Sequence, residues 1–361
     1  MRSDFVRSIA LTLNRSKSME SFKQLLLKLL LLPGFATSLK YVQRSCATVF
    51  MLHRFQDMER GTAGCSVPHL RRALAYLVKN NYELVTLADL FERLAGEGPQ
   101  LRGAVAFTID DGYVDQATIA APVFAEFECP VTTFVSTGFL DGKLWFWWDQ
   151  IEHVFEHTAR RSVQVRAGDT LLEYRWESEE QRVRAQAEFI DKCKRITDAE
   201  KWAAIADLAR RAEIEIPESP PPRYAPMSWD QVRACEEMGM SFGPHTVTHP
   251  VLSRTTHNGA DYEITESWGR LRAEARNPVP IFCYPNGGWD DFGEREIEVL
   301  RRMGFVGAVV GEPGYATSLE SGPSHDDRFK VRRLGLPEDL PNMIQYVSGL
   351  ERVKQLLRGS A

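Results

Sequence analysis

Val105-Ala106-Phe107-Thr108-Ile109-Asp110-Asp111-Gly112 is an apolar run that ends abruptly in two carboxylates and a glycine. A short run of this kind, rich in β-branched and aromatic residues and closed by a turn signal, reads as a buried strand. Asp-Asp-Gly alone is often only a turn. It gains meaning because the same arrangement recurs along the chain. Met240–Phe242 runs into Gly243-Pro244-His245-Thr246-Val247-Thr248-His249-Pro250. Val279–Cys283 runs into Tyr284-Pro285-Asn286-Gly287-Gly288, Ala47–Leu52 into His53-Arg54, and Lys330–Leu334 carries Arg332 and Arg333.

With Val131–Val135 and Phe305–Val310 these make seven strands. Amphipathic helices alternate with them, which predicts an α/β fold with parallel strands. Helix starts are signalled by Thr86 with Asp89 and by Ser228 with Gln231, a capping-box pattern; Gly239 and Gly304 mark helix ends. In barrels of parallel strands the active site lies at the C-terminal strand ends, which is where the polar residues fall. The rhythm breaks from Asp141 to about Met227. Val163–Trp176 reads as a hairpin turning at Gly168-Asp169, Ser178–Arg211 as charged helix, and Pro217–Pro222 as a connector. Residues 141–227 are therefore expected to be a mostly helical cap inserted into a barrel spanning 46–361, behind a helical leader at 1–45.

The 361 residues are 43% hydrophobic and 26% charged, a globular composition. A net charge of −5 gives no basic field, so nucleic acid is set aside as a partner. Six cysteines without a CxxC pair read as buried, reduced thiols. Leu25–Leu32 is leucine broken by Lys28 and ends at Pro33-Gly34, too short for a membrane span of ~20 residues. It reads as a buried or partner-facing helix, or else as one resting on a membrane surface through residues 20–40, with Lys23, Lys28 and Lys40 at the headgroups.

His245 and His249 with one carboxylate of the Asp110–Asp111 pair form a two-histidine, one-aspartate set. Three protein ligands that leave a position for water mark catalytic rather than structural zinc. Such an ion acidifies its water and polarises a carbonyl. Consecutive residues of a strand point opposite ways, so one aspartate can serve the metal and the other the substrate.

Phe107–Gly112 resembles the first motif of the NodB-type polysaccharide deacetylases, carbohydrate esterase family 4, and His245-Thr246-Val247-Thr248-His249 resembles the second. The resemblance covers roughly residues 47–140 and 227–338. It implies a deformed (β/α) barrel with about seven parallel strands and an enzyme that removes N-acetyl groups from a carbohydrate. It implies Asp111, His245 and His249 as ligands of Zn²⁺ or another divalent transition metal, and Asp110 as general base. Arg333 matches the arginine that braces the base. Cys283-Tyr284-Pro285-Asn286-Gly287 matches the third motif without its arginine, and implies the Asn286 N–H at the oxyanion. The family's late acid histidine is missing. Met51-Leu52-His53-Arg54 instead resembles an early motif of the branch that includes biofilm poly-N-acetylglucosamine deacetylases. His53 is then the candidate acid and His325 the alternative. Tyr284, Trp289, Trp147 and Trp148 are candidates to stack on sugar rings.

Two further readings stay open: a hydrolase of another sugar amide or ester, such as a formamide or O-acetyl group, and a non-catalytic sugar-binding relative. Without a recognisable signal peptide, the chain is expected in the cytoplasm, either free or at the inner membrane face through residues 20–40.

Overall fold

The computed structural model describes residues 46–317 and 328–350. The leader, with its leucine run, and His325 lie outside them. The strands are β1 (Cys46–Leu52), β2 (Glu83–Leu84), β3 (Ala104–Asp111), β4 (Val131–Val135), β5 (Ser162–Ala167), β6 (Thr170–Arg175), β7 (Met240–Pro244), β8 (Ile281–Cys283), β9 (Gly307–Pro313), β10 (Ala316–Thr317) and β11 (Val331–Gly335).

Seven of them run parallel in the order β7-β4-β3-β1-β11-β9-β8, with helices around them. The short β2 pairs with β3, and β10 runs antiparallel to β1. The sheet curls until its ends meet: Phe242 beside β8 bridges to Pro278, and the Val279 N–H donates to the Phe242 carbonyl. This is the deformed barrel that the sequence implies. Every residue of β3 and β4 is buried, as expected where helices cover the outside and side chains fill the inside. Val49, Ala106, Phe134, Ile281, Val309 and Val331 belong to one apolar cluster, into which helix Leu87–Leu94 packs Leu90, Phe91 and Leu94.

Closure depends on a missing side chain. A Cβ on Gly243 would lie 2.6 Å from the Phe134 ring and 2.8 Å from the Ile281 carbonyl oxygen. Glycine lets β7 come close enough to β8 to join the ends, two residues before His245.

Between β4 and β7 the chain forms helices Trp147–His157, Glu179–Lys194 and Asp198–Ala212, and the β5–β6 hairpin, which turns at Gly168-Asp169. Ile151, Phe155, Val165, Phe189, Ile205 and Leu208 give this segment an apolar cluster separate from that of the barrel. The Ser228–Gln231 capping box forms as read, and Gly239 and Gly304 take positive φ at the helix ends. No helix among the described residues is long and apolar enough to cross a membrane. All six cysteines are free, and all but the half-buried Cys65 are buried.

Gly243→Ala is expected to lower unfolding free energy by about 1–3 kcal/mol through overpacking at the seam. Denaturant titration checks this; an unchanged midpoint would contradict it.

Candidate active site

The strand ends of the barrel open into a cavity of about 470 Å³. Asp110, Asp111, His53, His245, His249 and Asn286 line it from the barrel side, and Trp148, Asp149, Glu152 and Arg223 from the inserted segment.

Asp110 is held by Arg333. The guanidinium donates Nη1 to Asp110 Oδ1 and Nη2 to Oδ2, both at 2.7 Å. Its other donors go to the Val310 carbonyl, the Thr108 hydroxyl and Cys283 Sγ, so all five N–H groups are used. A register shift between Val331 and Arg333, a bulge, interrupts β11 where this side chain turns inward. Burial opposes ionisation of Asp110, but the Arg333 guanidinium outweighs it and holds the carboxyl well below the usual carboxylate range.

Asp111 follows at φ +87°, in the left-handed region that aspartate tolerates better than most residues. Simple strand alternation would send the two carboxylates to opposite faces. The backbone switch brings both to one cavity with different neighbours. Asp111 Oδ1 lies 3.7 Å from His245 Nε2 and 3.6 Å from His249 Nε2. The His245 Nδ1–H donates to the Cys283 carbonyl at 2.7 Å, which leaves Nε2 as a bare lone pair. Burial lowers both histidine pKa values, His245 to about 4, so both rings are neutral and able to ligate. Burial and then the Asp110 carboxylate raise Asp111 well above its ordinary value.

These three donors fit a metal ion. Their spacing is too wide for direct hydrogen bonds. It is close to the ~3.4 Å expected between ligands of a tetrahedral ion with bonds of ~2.1 Å. A cation there would also offset the buried negative charge.

His53 stands across from this cluster, with Nε2 3.8 Å from Asp110 Oδ2 and 46% of its side chain exposed. Desolvation lowers its pKa, as does Arg333, while Asp110 pulls the other way; the open side screens the net effect. Asn286 takes φ +59°, and among the described residues its N–H donates to no backbone carbonyl. Gly287 and Gly311 pack against each other to hold that turn: a Cβ on Gly311 would meet the Asn286 carbonyl oxygen.

The aromatic expectations need correction. Tyr284 lines the cavity but is buried, with one face of its ring flat on Phe292, 3.9 Å between centroids, so that face is taken. Trp289 is 44% exposed but does not line the cavity; Arg332 lies over its ring. Trp147 and Trp148 both line the cavity; Trp147 is buried in the inserted segment's core, and Trp148 is half-buried, edge-on to His249.

Several supporting residues escaped the sequence reading. Buried Glu263 accepts the Val247 and Thr248 N–H groups and the Thr248 hydroxyl, which clamps the His245–His249 loop. Tyr113 donates to Asp149 at 2.7 Å, and burial pushes the Asp149 carboxyl up to about 8 against the pull of that hydroxyl and of Arg54. Gln116 donates to the carbonyls of both His53 and Asp110. No short-range pattern marks Glu263 or Gln116, whose partners are distant strand ends and loops.

Residues 198–307, a stretch with the histidine pair but not the aspartate pair, match the polysaccharide deacetylase family model. Over that stretch, under a third of its length, the chain is similar to the polysaccharide deacetylases. Among curated proteins no sequence match was found. The fold is shared with solved structures. The Streptococcus pyogenes deacetylase PplD, in complex with acetate, is 14% identical at TM-score 0.54, covering 84% of this chain and 98% of its own. IcaB from Ammonifex degensii is 17% identical at TM-score 0.51, covering 85% and 98%. A de-N-acetylase from Aggregatibacter actinomycetemcomitans is 14% identical at TM-score 0.51, covering 83% and 99%. At these identities the likeness is one of fold.

Arg333→Met should cost about 3–5 kcal/mol near pH 7 by leaving Asp110 buried and unpaired. In the wild type the folded pKa of Asp110 lies below its unfolded value. The stabilisation is therefore full above the unfolded pKa of ~3.9 and is lost only as pH falls through the folded value. In the variant burial raises that pKa, so protonation on acidification relieves the cost. The stability gap, read by urea unfolding, should narrow from pH 7 to pH 4; a constant gap would show that the charge pair is not its origin.

Proposed function

We propose that this chain is a metal-dependent hydrolase that removes acetyl groups from N-acetylated sugar units of an exopolysaccharide or glycan precursor. One observation carries the reading: neighbouring aspartates share one cavity, one gripped by a buried arginine and the other set at ligand distance from two neutral histidines. The deacetylase family match and the deacetylases among proteins of like fold support it.

Asp111, His245 and His249 would hold Zn²⁺ or another divalent transition metal. Bound there, such an ion would acidify a water and polarise the acetamide carbonyl. Asp110, kept ionised by Arg333, takes the proton of the attacking water. The water oxygen bonds to the acetyl carbon, and the Asn286 N–H donates to the developing oxyanion. His53, protonated, gives its proton to the nitrogen as the C–N bond breaks. Acetate and a free amino sugar result. The stationed acid favours an amide over an ester, because an amine leaves poorly without a proton. A location in the cytoplasm, at the inner membrane face through residues 20–40, is part of this proposal and rests on sequence alone.

The zinc-loaded protein should release acetate from N-acetylglucosamine oligomers, and His249→Ala should lose both metal and activity. Full metal content in that variant would refute the ligand set. His53→Ala should retain its metal and slow turnover by ~10²–10⁴, the usual worth of general acid–base catalysis. Near-wild-type turnover would remove His53 from the mechanism.

A further inference from the structure

We propose that Gln116 is a positioning residue that sets His53 against Asp110; the inference rests on the reading of these two as acid and base. Regular pairing between β1 and β3 ends at Leu52 and Ile109, one residue before His53 and Asp110. Past that point the sheet supplies no rung between them. Gln116 supplies one from a side chain. Its Nε2 donates to the His53 carbonyl at 2.7 Å and to the Asp110 carbonyl at 2.5 Å.

Three observations separate this from ordinary packing. Gln116 is fully buried, yet its Oε1 has no hydrogen-bond partner among the described residues. An orphaned buried amide oxygen is unfavourable, so the amide is retained for its donors. Gln116 also begins a single π-helical turn, Gln116–Ala120, a rare element frequent at functional sites. Finally, Asp115 grips the same segment: it accepts the Phe55 N–H at 2.6 Å and Arg54 Nε at 3.0 Å. The acid's backbone is thus held at His53 and Phe55, and the Arg54 side chain between them, by two consecutive residues that follow the Asp-Asp-Gly turn. The His53 ring makes no hydrogen bond to a described residue, only its 3.8 Å approach to Asp110. Its location is therefore set by its backbone, and the backbone by Gln116.

Gln116→Leu keeps the volume and removes both donors. On the zinc-loaded full chain with an N-acetylated oligosaccharide, kcat should fall ~10–100-fold, part of the ~10²–10⁴ worth of the acid. KM should stay within about twofold and bound metal should not change. In a His53→Ala background the same substitution should cost less than about twofold, because residues that act through one step are not additive. A second readout needs no turnover. NMR titration of the His53 ring, with and without Asp110→Asn, measures how strongly the two groups feel each other. That coupling should shrink in Gln116→Leu. If the wild type hydrolyses no acetamide, the functional reading falls while the coupling still decides the positioning. If the leucine variant does not fold, Gln116→Glu, which keeps the shape but as a carboxylate has neither donor, takes its place. A full-size loss of kcat in the His53→Ala background, or undiminished coupling, would overturn the proposal.

Discussion

The buried pair of Arg333 and Asp110 is the interaction on which the rest of the site depends. A guanidinium in the middle of a barrel is tolerable only if each donor is met and its charge is cancelled. Here the donors reach β3, β8 and β9, and the Thr108 hydroxyl passes the link on to the Phe50 carbonyl of β1. One side chain therefore fixes five strands relative to one another, counting its own. It also decides the roles of the two aspartates. Asp110 is occupied by a permanent cation and stays ionised, whereas Asp111 is left with burial, a neighbouring negative charge and two neutral histidines.

The barrel supports a site that is strained locally. Asp111, Thr246, His249 and Asn286 all take positive φ at the strand ends. Such conformations persist only where surroundings over-determine them. Thr246 shows how. Its hydroxyl oxygen accepts the His249 N–H at 3.0 Å, while Glu263 holds the next two residues of the loop from a helix. The Gly287–Gly311 contact does the same for Asn286.

Much of this was legible in sequence, because the strands are short apolar runs closed by turn residues. β4 spans the expected Val131–Val135, and β9 runs Gly307–Pro313 where Phe305–Val310 was expected. The cluster of Asp111, His245 and His249 was legible because ligand chemistry restricts residue types to a few. Position along a strand did not reveal that Asp111 leaves the extended conformation, since alternation alone sends it to the wrong face. Aromatic residues were harder to place for a related reason: Tyr284 and Trp147 do border the cavity, but how deeply each is buried is settled by tertiary packing. Glu263, Gln116 and Asp149 were invisible because each acts on a partner far away in sequence or in another structural unit.

The division of labour between adjacent carboxylates is tested most directly by metal content and acetate release of Asp110→Asn and Asp111→Asn side by side. Asp110→Asn should hold the ion in full and release almost no acetate; Asp111→Asn should lose the ion. An Asp110→Asn protein that loses its metal, or an Asp111→Asn protein that keeps it, would contradict the account.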